Sequence, residues 1–288
     1  MSCESQVPVA RVHVLQRAHR MPSCSRAIAR RCSVASLSTA EKHVPEPPTC
    51  DHVIPPCYTP PMITFKNVTK EYSPNIHALS GVSFRIEAGE FVSITGQSGS
   101  GKSTVAKLIF AEEKPTTGNI LIGDWDVSRV RRSDIPLLRR QIGVVFQDFK
   151  LLPQKTVFEN VAFALEVAGE SGKRIRDIVP HVLKIVGLTE KAARYPKQIS
   201  GGEQQRVSIA RALVHRPKII IADEPTGNLD AITAREIIEL FTRINDFGTT
   251  VILVTHDRDI VNGLHRRVIT LRNGKVVSDA QKGKYILS

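Results

Sequence analysis

An α/β fold is predicted, with a parallel core, a helical insertion and an antiparallel β flank, and three observations predict it. Short apolar runs, FVSIT, QIGVVF, KIIIAD and TTVILVT, alternate with helix-period segments and stop at polar residues. A glycine-rich loop, GQSGSGKST, stands between one such strand and the helix pattern KSTVAKLIF. Short β segments precede it, and RRVITLRNGKVVS closes the chain with an Asn-Gly hairpin signal.

In chain order, ITFKNVTKEY, HALSGVSFRI and EFVSIT read as a small sheet leading into a buried strand, separated by Ser-Pro-Asn and Glu-Ala-Gly turns. NILIGD and QIGVVF are the next strands. TVFENVAFALEVAG and IRDIVPHVLKIVGL then carry helical spacing, with Pro180 expected at a helix start or a kink. These form a helical subdomain of about residues 148–205 within a domain spanning 62–288. KIIIAD, TAREIIELFTRIN and TTVILVTH resume the alternation of strand and helix.

Composition divides the 288 residues near Met62. All 5 cysteines and 9 of the 17 prolines lie in residues 1–61, and all 18 glycines follow them. That first stretch has no sustained period, too little apolar surface to offset its ordering entropy, and no CxxC spacing for zinc. It is read as a disordered extension, translated from upstream of a start at Met62 and not part of the native protein. Its arginine- and serine-rich part also admits an organelle transit peptide or a basic regulatory arm. The placement of the cysteines excludes a disulfide framework in the domain.

No apolar run approaches the ~20 residues that span a bilayer, so any membrane role is borrowed from a partner. The net charge of +12 suits nucleotide, nucleic acid or an anionic surface without choosing among them. The run RVRRSDIPLLRR (129–140) reads first as a solvated face, then as a membrane-surface or nucleic-acid patch. It lacks the interleaved aromatics that stack bases.

Residues Gly96, Gln97, Ser98, Gly99, Ser100, Gly101, Lys102, Ser103 and Thr104 match the phosphate-binding P-loop. Its glycines allow N–H groups to converge on an anion at a helix start. Lys102 is expected to reach the β and γ phosphates of ATP, and Ser103 to hold Mg2+. IIIADEP delivers Asp223 and Glu224 to the carboxyl edge of the sheet, Asp223 toward the metal and Glu224 as general base. ISGGEQQRVSIARAL opens a helix with Ser200, Gly201 and Gly202, a second anion site that one P-loop does not need. If it acts on a nucleotide held by another copy, the active unit is a homodimer. Alone, Ser-Gly-Gly is more often an ordinary helix cap.

Together with the loop GNLD and the histidine of VILVTHD, these motifs resemble the nucleotide-binding domain of an ABC ATPase over essentially all of residues 62–288. The resemblance implies a P-loop NTPase core of the RecA-like kind and an ATP-bound homodimer. It implies that Tyr72 stacks on adenine and that Gln147 reaches metal and attacking water. It also assigns Asp230 to communication across the dimer and His256 to sensing the γ-phosphate. Ile199 stands where leucine is usual, a small change in volume.

FQDFKLLPQKTVFENVAFAL and HALSGVSFRIEAGEFVSITGQSGSGKST are similar to the FtsE family of bacterial cell-division ATPases. That likeness implies a peripheral subunit on the cytoplasmic face of the cell membrane, working with an FtsX-like integral membrane protein to control cell-wall hydrolysis. The loop from Asp148 to Lys155 is expected to meet that partner. Lipoprotein-release or macrolide-export ATPases are the alternative, and a nucleic-acid-associated ABC ATPase a more distant one.

Overall fold

Four buried strands run parallel through the centre of the domain, in the order β3-β8-β7-β6. They are β3 (Phe91–Gly96), β6 (Ile142–Phe146), β7 (Ile219–Asp223) and β8 (Thr250–Val254). The computed structural model describes residues 62–73 and 76–283. The expectations for residues 1–61, and the Ser-Pro-Asn turn at Pro74 and Asn75, therefore lie outside the described residues.

These strands read as unbroken apolar runs because both faces are covered. Ile220 and Ala222 of β7, with Val251 and Leu253 of β8, face the helical side. Ile219 and Ile221, with Ile252 and Val254, face the β flank. The alternation follows from the two-residue repeat of a strand.

Two more strands extend the sheet beyond β3. Strand β9 (Arg267–Arg272) pairs parallel to β3, and β10 (Lys275–Ala280) pairs antiparallel to β9. The hairpin between them turns at Asn273 and Gly274, with φ of 49° and 71°, as the Asn-Gly signal predicts. At the amino end of β9, the buried Arg267 guanidinium donates to Asp279 at 2.7 Å through two nitrogens, and to Glu90 at 3.0 Å. This ion-pair cluster lies at the edge of the sheet opposite the phosphate loop, since Val92 pairs with Arg267 and Gly96 with Leu271.

The flank is a four-stranded antiparallel sheet, β2-β1-β4-β5, built from β1 (Ile63–Ser73), β2 (Ile76–Ile86), β4 (Thr117–Ile122) and β5 (Trp125–Asp126). Phe65 and Phe84 stack across β1 and β2 with ring centroids 4.4 Å apart.

Helix α1 (Lys102–Ile109) follows the glycine-rich loop, and the short α2 (Ile135–Arg139) precedes β6. The insertion consists of α3 (Val157–Val167) and α4 (Gly172–Ile185). Thr156 and Glu159 form a reciprocal cap on α3, and Ser171 caps α4. Pro180 starts no helix: α4 begins eight residues earlier and runs through it. Helix α5 (Gly201–Leu213) packs on β6 and is continuous across residue 205, so the expected subdomain boundary falls inside one helix. Helices α6 (Ala231–Asp246) and α7 (Arg258–Leu264) start on Asp230 and Asp257 caps.

The basic run 129–140 is only partly a solvated face. Arg139 donates to the carbonyls of Phe110 and Ala111, and Arg140 to that of Ala168, while Leu138 is buried. Among the described residues, no helix is long and apolar enough to cross a membrane.

Candidate functional site

Because β3, β8, β7 and β6 are parallel, their carboxyl ends share one edge, and each is followed by a singled-out residue. Gly96 ends β3, His256 follows β8, Glu224 follows β7 and Gln147 follows β6. The register holds them level, with Phe146 beside Asp223 and Asp223 beside Val254.

The loop after β3 is threaded between two walls. At Gly96, with φ of 150°, a Cβ would strike the Leu271 carbonyl. At Gly101, with φ of 102°, it would lie 2.6 Å from the Ala78 carbonyl. Only glycine fits both positions. Gln97, Ser98 and Gly99 are exposed on top, Thr104 is half-buried, and Ser100 is buried beneath the turn with its N–H on the Gln97 carbonyl. Lys102 Nζ donates to the carbonyls of Gly96 at 2.9 Å and Gln97 at 3.0 Å, which centres the ammonium under the loop. Burial pushes its pKa down, and the charges of Glu224 and Asp223 oppose that shift.

Ser103 Oγ donates to Asp223 Oδ1 at 3.4 Å, joining α1 to β7. Burial pushes the Asp223 carboxyl up, with Glu224 adding to the shift, while Ser103, Lys102 and Lys107 pull it back. Glu224 takes a left-handed conformation with φ of 49° and donates its N–H to the Val254 carbonyl at 2.9 Å. That turn sets its carboxylate 2.8 Å from His256 Nδ1. The two carboxylates point apart, with Asp223 facing Ser103 and Glu224 facing His256.

Gln147 Nε2 donates to Asn228 Oδ1 at 3.3 Å, and Asn228 Nδ2 returns to the Gln147 carbonyl at 3.1 Å. The glutamine loop is thus tied to the loop GNLD. At Gly227 a Cβ would lie 2.7 Å from the Gln147 amide nitrogen, so a glycine there leaves room for the glutamine.

Ser200 and Glu203 form a reciprocal cap at the start of α5, so the serine hydroxyl is already engaged as a helix cap. Gly202 lies against Thr233 of α6, where a Cβ would clash. Among the described residues, no hydrogen bond joins Ser200, Gly201 or Gly202 to the loop 96–104. Asp230 caps α6 through Ile232 N, Thr233 N and Thr233 Oγ1, and the Thr233 hydroxyl leads in holding its carboxyl below the usual range. Tyr72 is part-exposed near the end of β1, with Lys70 Nζ 5.0 Å from its ring centroid. Its strand pairs with β2, whose Ala78 and Leu79 pack on Gly101.

Comparison with known proteins places this edge in a family. The ABC transporter family matches residues 79–227. The cell division ATP-binding protein FtsE of Bacillus subtilis is 53% identical over 224 residues, covering 78% of this chain and 98% of that protein. FtsE of Mycobacterium tuberculosis is 52% identical, with 78% and 98% covered. The chain belongs to the FtsE family of ABC transporter ATPases. FtsE of Escherichia coli K12 is 47% identical, covering 74% of this chain and 96% of its own. Among solved structures, the dimeric ATP-binding cassette MJ0796 bound to ADP and Pi shares 40% identity at a TM-score of 0.70, covering 78% of this chain and all of that one. This ABC ATPase binds nucleotide and hydrolyses ATP.

The residues present suit Mg2+. Ser103 and Asp223 offer adjacent hard oxygen donors, and the carboxylate, disfavoured by burial, would gain from a cation. Sequence reasoning missed Asn228, Gln205 and Arg211 as neighbours of the glutamine loop. For Gln205 a signal existed: it falls on the same stripe of α5 as the buried Ile209 and Ala212, where a core helix favours apolar residues.

Proposed function

We propose that this ATPase works in cell division on the cytoplasmic face of the membrane, as a peripheral subunit that couples ATP turnover to an FtsX-like integral membrane protein. Tyr72 stacks on adenine, the backbone of residues 96–104 wraps the phosphates, and Lys102 reaches the terminal ones. Ser103, Asp223 and Gln147 hold Mg2+, which when bound offsets charge on the transferring phosphoryl group. Glu224 accepts the proton of the attacking water, and His256 orients that carboxylate and senses the γ-phosphate. The two copies of an ATP-bound homodimer communicate through Asp230.

One observation carries the reading: four parallel strands bring the phosphate loop, the two carboxylates, the histidine and the glutamine to one edge. The same geometry supports a homodimer. Helix α5 packs on β6, three strand spacings from β3, or about 14 Å at ~4.8 Å each. Ser200 and Gly202 are therefore better placed for ATP held by a second copy than for their own. The membrane partner is assigned to the groove of about 240 Å³ between Asp148, Phe149, Leu151 and Pro153 on one side and Pro196 and Lys197 on the other.

The test is Glu224→Gln in the full chain. Turnover is expected to fall by about 10²- to 10⁴-fold with ATP binding kept and an ATP-dependent dimer trapped. Near-normal turnover refutes the base assignment. For the partner, co-purification from membranes should bring down an integral protein of four spans with one extracellular loop domain. A partner with a large periplasmic domain would instead indicate export.

A further inference from the structure

Gln205 has a completely buried side chain on the first two turns of α5, directly behind the reacting edge. Its Nε2 donates to the Pro225 carbonyl at 2.6 Å and approaches the Phe146 carbonyl at 3.4 Å. Pro225 follows Glu224, and Phe146 precedes Gln147. One amide therefore bridges the segment that follows β7 and the end of β6, at the carbonyl one residue beyond the proposed base and the carbonyl just before the proposed metal-reaching glutamine.

Packing alone does not explain this residue. The neighbouring positions of the α5 stripe, Ile209 and Ala212, are apolar, and burying an amide is costly unless its groups are paired. Here only the donor end is paired. The Gln205 Oε1 atom is buried and has no hydrogen-bond partner. A leucine would fill the space without that orphaned acceptor. What leucine cannot do is hold two carbonyls at a set separation.

We propose that Gln205 is a positioning residue for hydrolysis, which fixes Glu224 relative to Gln147 and ties both to the helix that carries Ser200, Gly201 and Gly202. This rests on the roles given above to Glu224 and Gln147. Displacement of α5 by a nucleotide-bound second copy then reaches both side chains through one buried amide. A misplacement on the order of 1 Å in such a group costs about 10²-fold in rate.

The experiment uses the full chain with Gln205→Leu and, against the possibility of a folding defect, Gln205→Met, which matches the length of the side chain without its donor. Each is made alone and combined with Glu224→Gln. A kcat lowered about 10- to 100-fold, a KM for ATP within about twofold, and a double variant that still forms the ATP-dependent dimer support the proposal. A kcat within about twofold of the unaltered chain overturns it. So does a kcat loss accompanied, in both variants, by loss of the trapped dimer, because the residue would then be holding up the helix itself. Failure of the underlying reading shows separately, as turnover by Glu224→Gln alone, and the proposal falls with it.

Discussion

The Glu224 carboxylate and the His256 ring nitrogen Nδ1 lie 2.8 Å apart across the ends of two adjacent strands. Their contact depends on the left-handed turn at Glu224, held by its N–H on Val254. The glutamate is mostly covered, while the histidine ring is largely exposed. His256→Ala is expected to lower kcat about 10²-fold while leaving ATP affinity nearly unchanged, as checked by steady-state rates beside equilibrium binding of ATP. A rise in KM without a fall in kcat would assign the histidine to binding alone.

Asp223 predicts opposite effects on stability and activity. Burial raises its pKa, so the folded chain without metal disfavours the carboxylate. That penalty is fully present above the folded-state pKa and fades as pH falls through it toward the ordinary aspartate value of 3.8. Asp223→Asn should therefore melt higher than the unaltered chain at neutral pH without Mg2+, with an advantage that shrinks on acidification. Its Mg2+-dependent turnover should drop at least about 10²-fold. Denaturant titrations across pH, in the absence of metal, check the first claim.

Arg267 separates fold from chemistry. Its guanidinium serves Asp279 and Glu90 at the edge of the sheet away from the phosphate loop, and these carboxylates raise its pKa against the effect of burial. Arg267→Met leaves both partners uncompensated and should cost roughly 2 to 4 kcal/mol in urea unfolding. The kcat of the remaining folded protein should stay within about twofold.

Arg211 should govern the loop rather than the reaction. From α5 it donates to the Phe149 carbonyl at 2.9 Å and the Lys150 carbonyl at 2.6 Å. Both residues are left-handed without being glycine, with φ of 55° and 47°, a conformation that needs outside support. Arg211→Met should speed tryptic cleavage after Lys150 several-fold and weaken co-purification with the proposed membrane partner. Unchanged cleavage would mean that the loop holds itself.

Much of this was legible in the chain because it is local. Ser200 caps the helix it precedes, and Asn273-Gly274 turns where the dipeptide predicts, since each rests on bonds spanning two or three residues. Pro180 shows the limit. A proline forbids one hydrogen bond, yet Ile175, Val179, Val182 and Leu183 bury enough surface to keep α4 whole around it.

The amino-acid sequence by itself determined which residues end the buried strands, because an apolar run stopped by Gly96, Gln147, Asp223 or His256 states its own boundary. Only the tertiary structure decided which of them meet. Strand order puts β8 between β3 and β7, which brings His256 beside the end of β7, and the left-handed turn at Glu224 gives the histidine to Glu224 rather than to Asp223. It also puts α5 behind β6, where Gln205 and Arg211 grip a loop some sixty residues earlier in the chain. Local spacing encodes period and turn, but contacts between distant residues are set by how strands pair and helices cover them, which no short stretch of sequence contains.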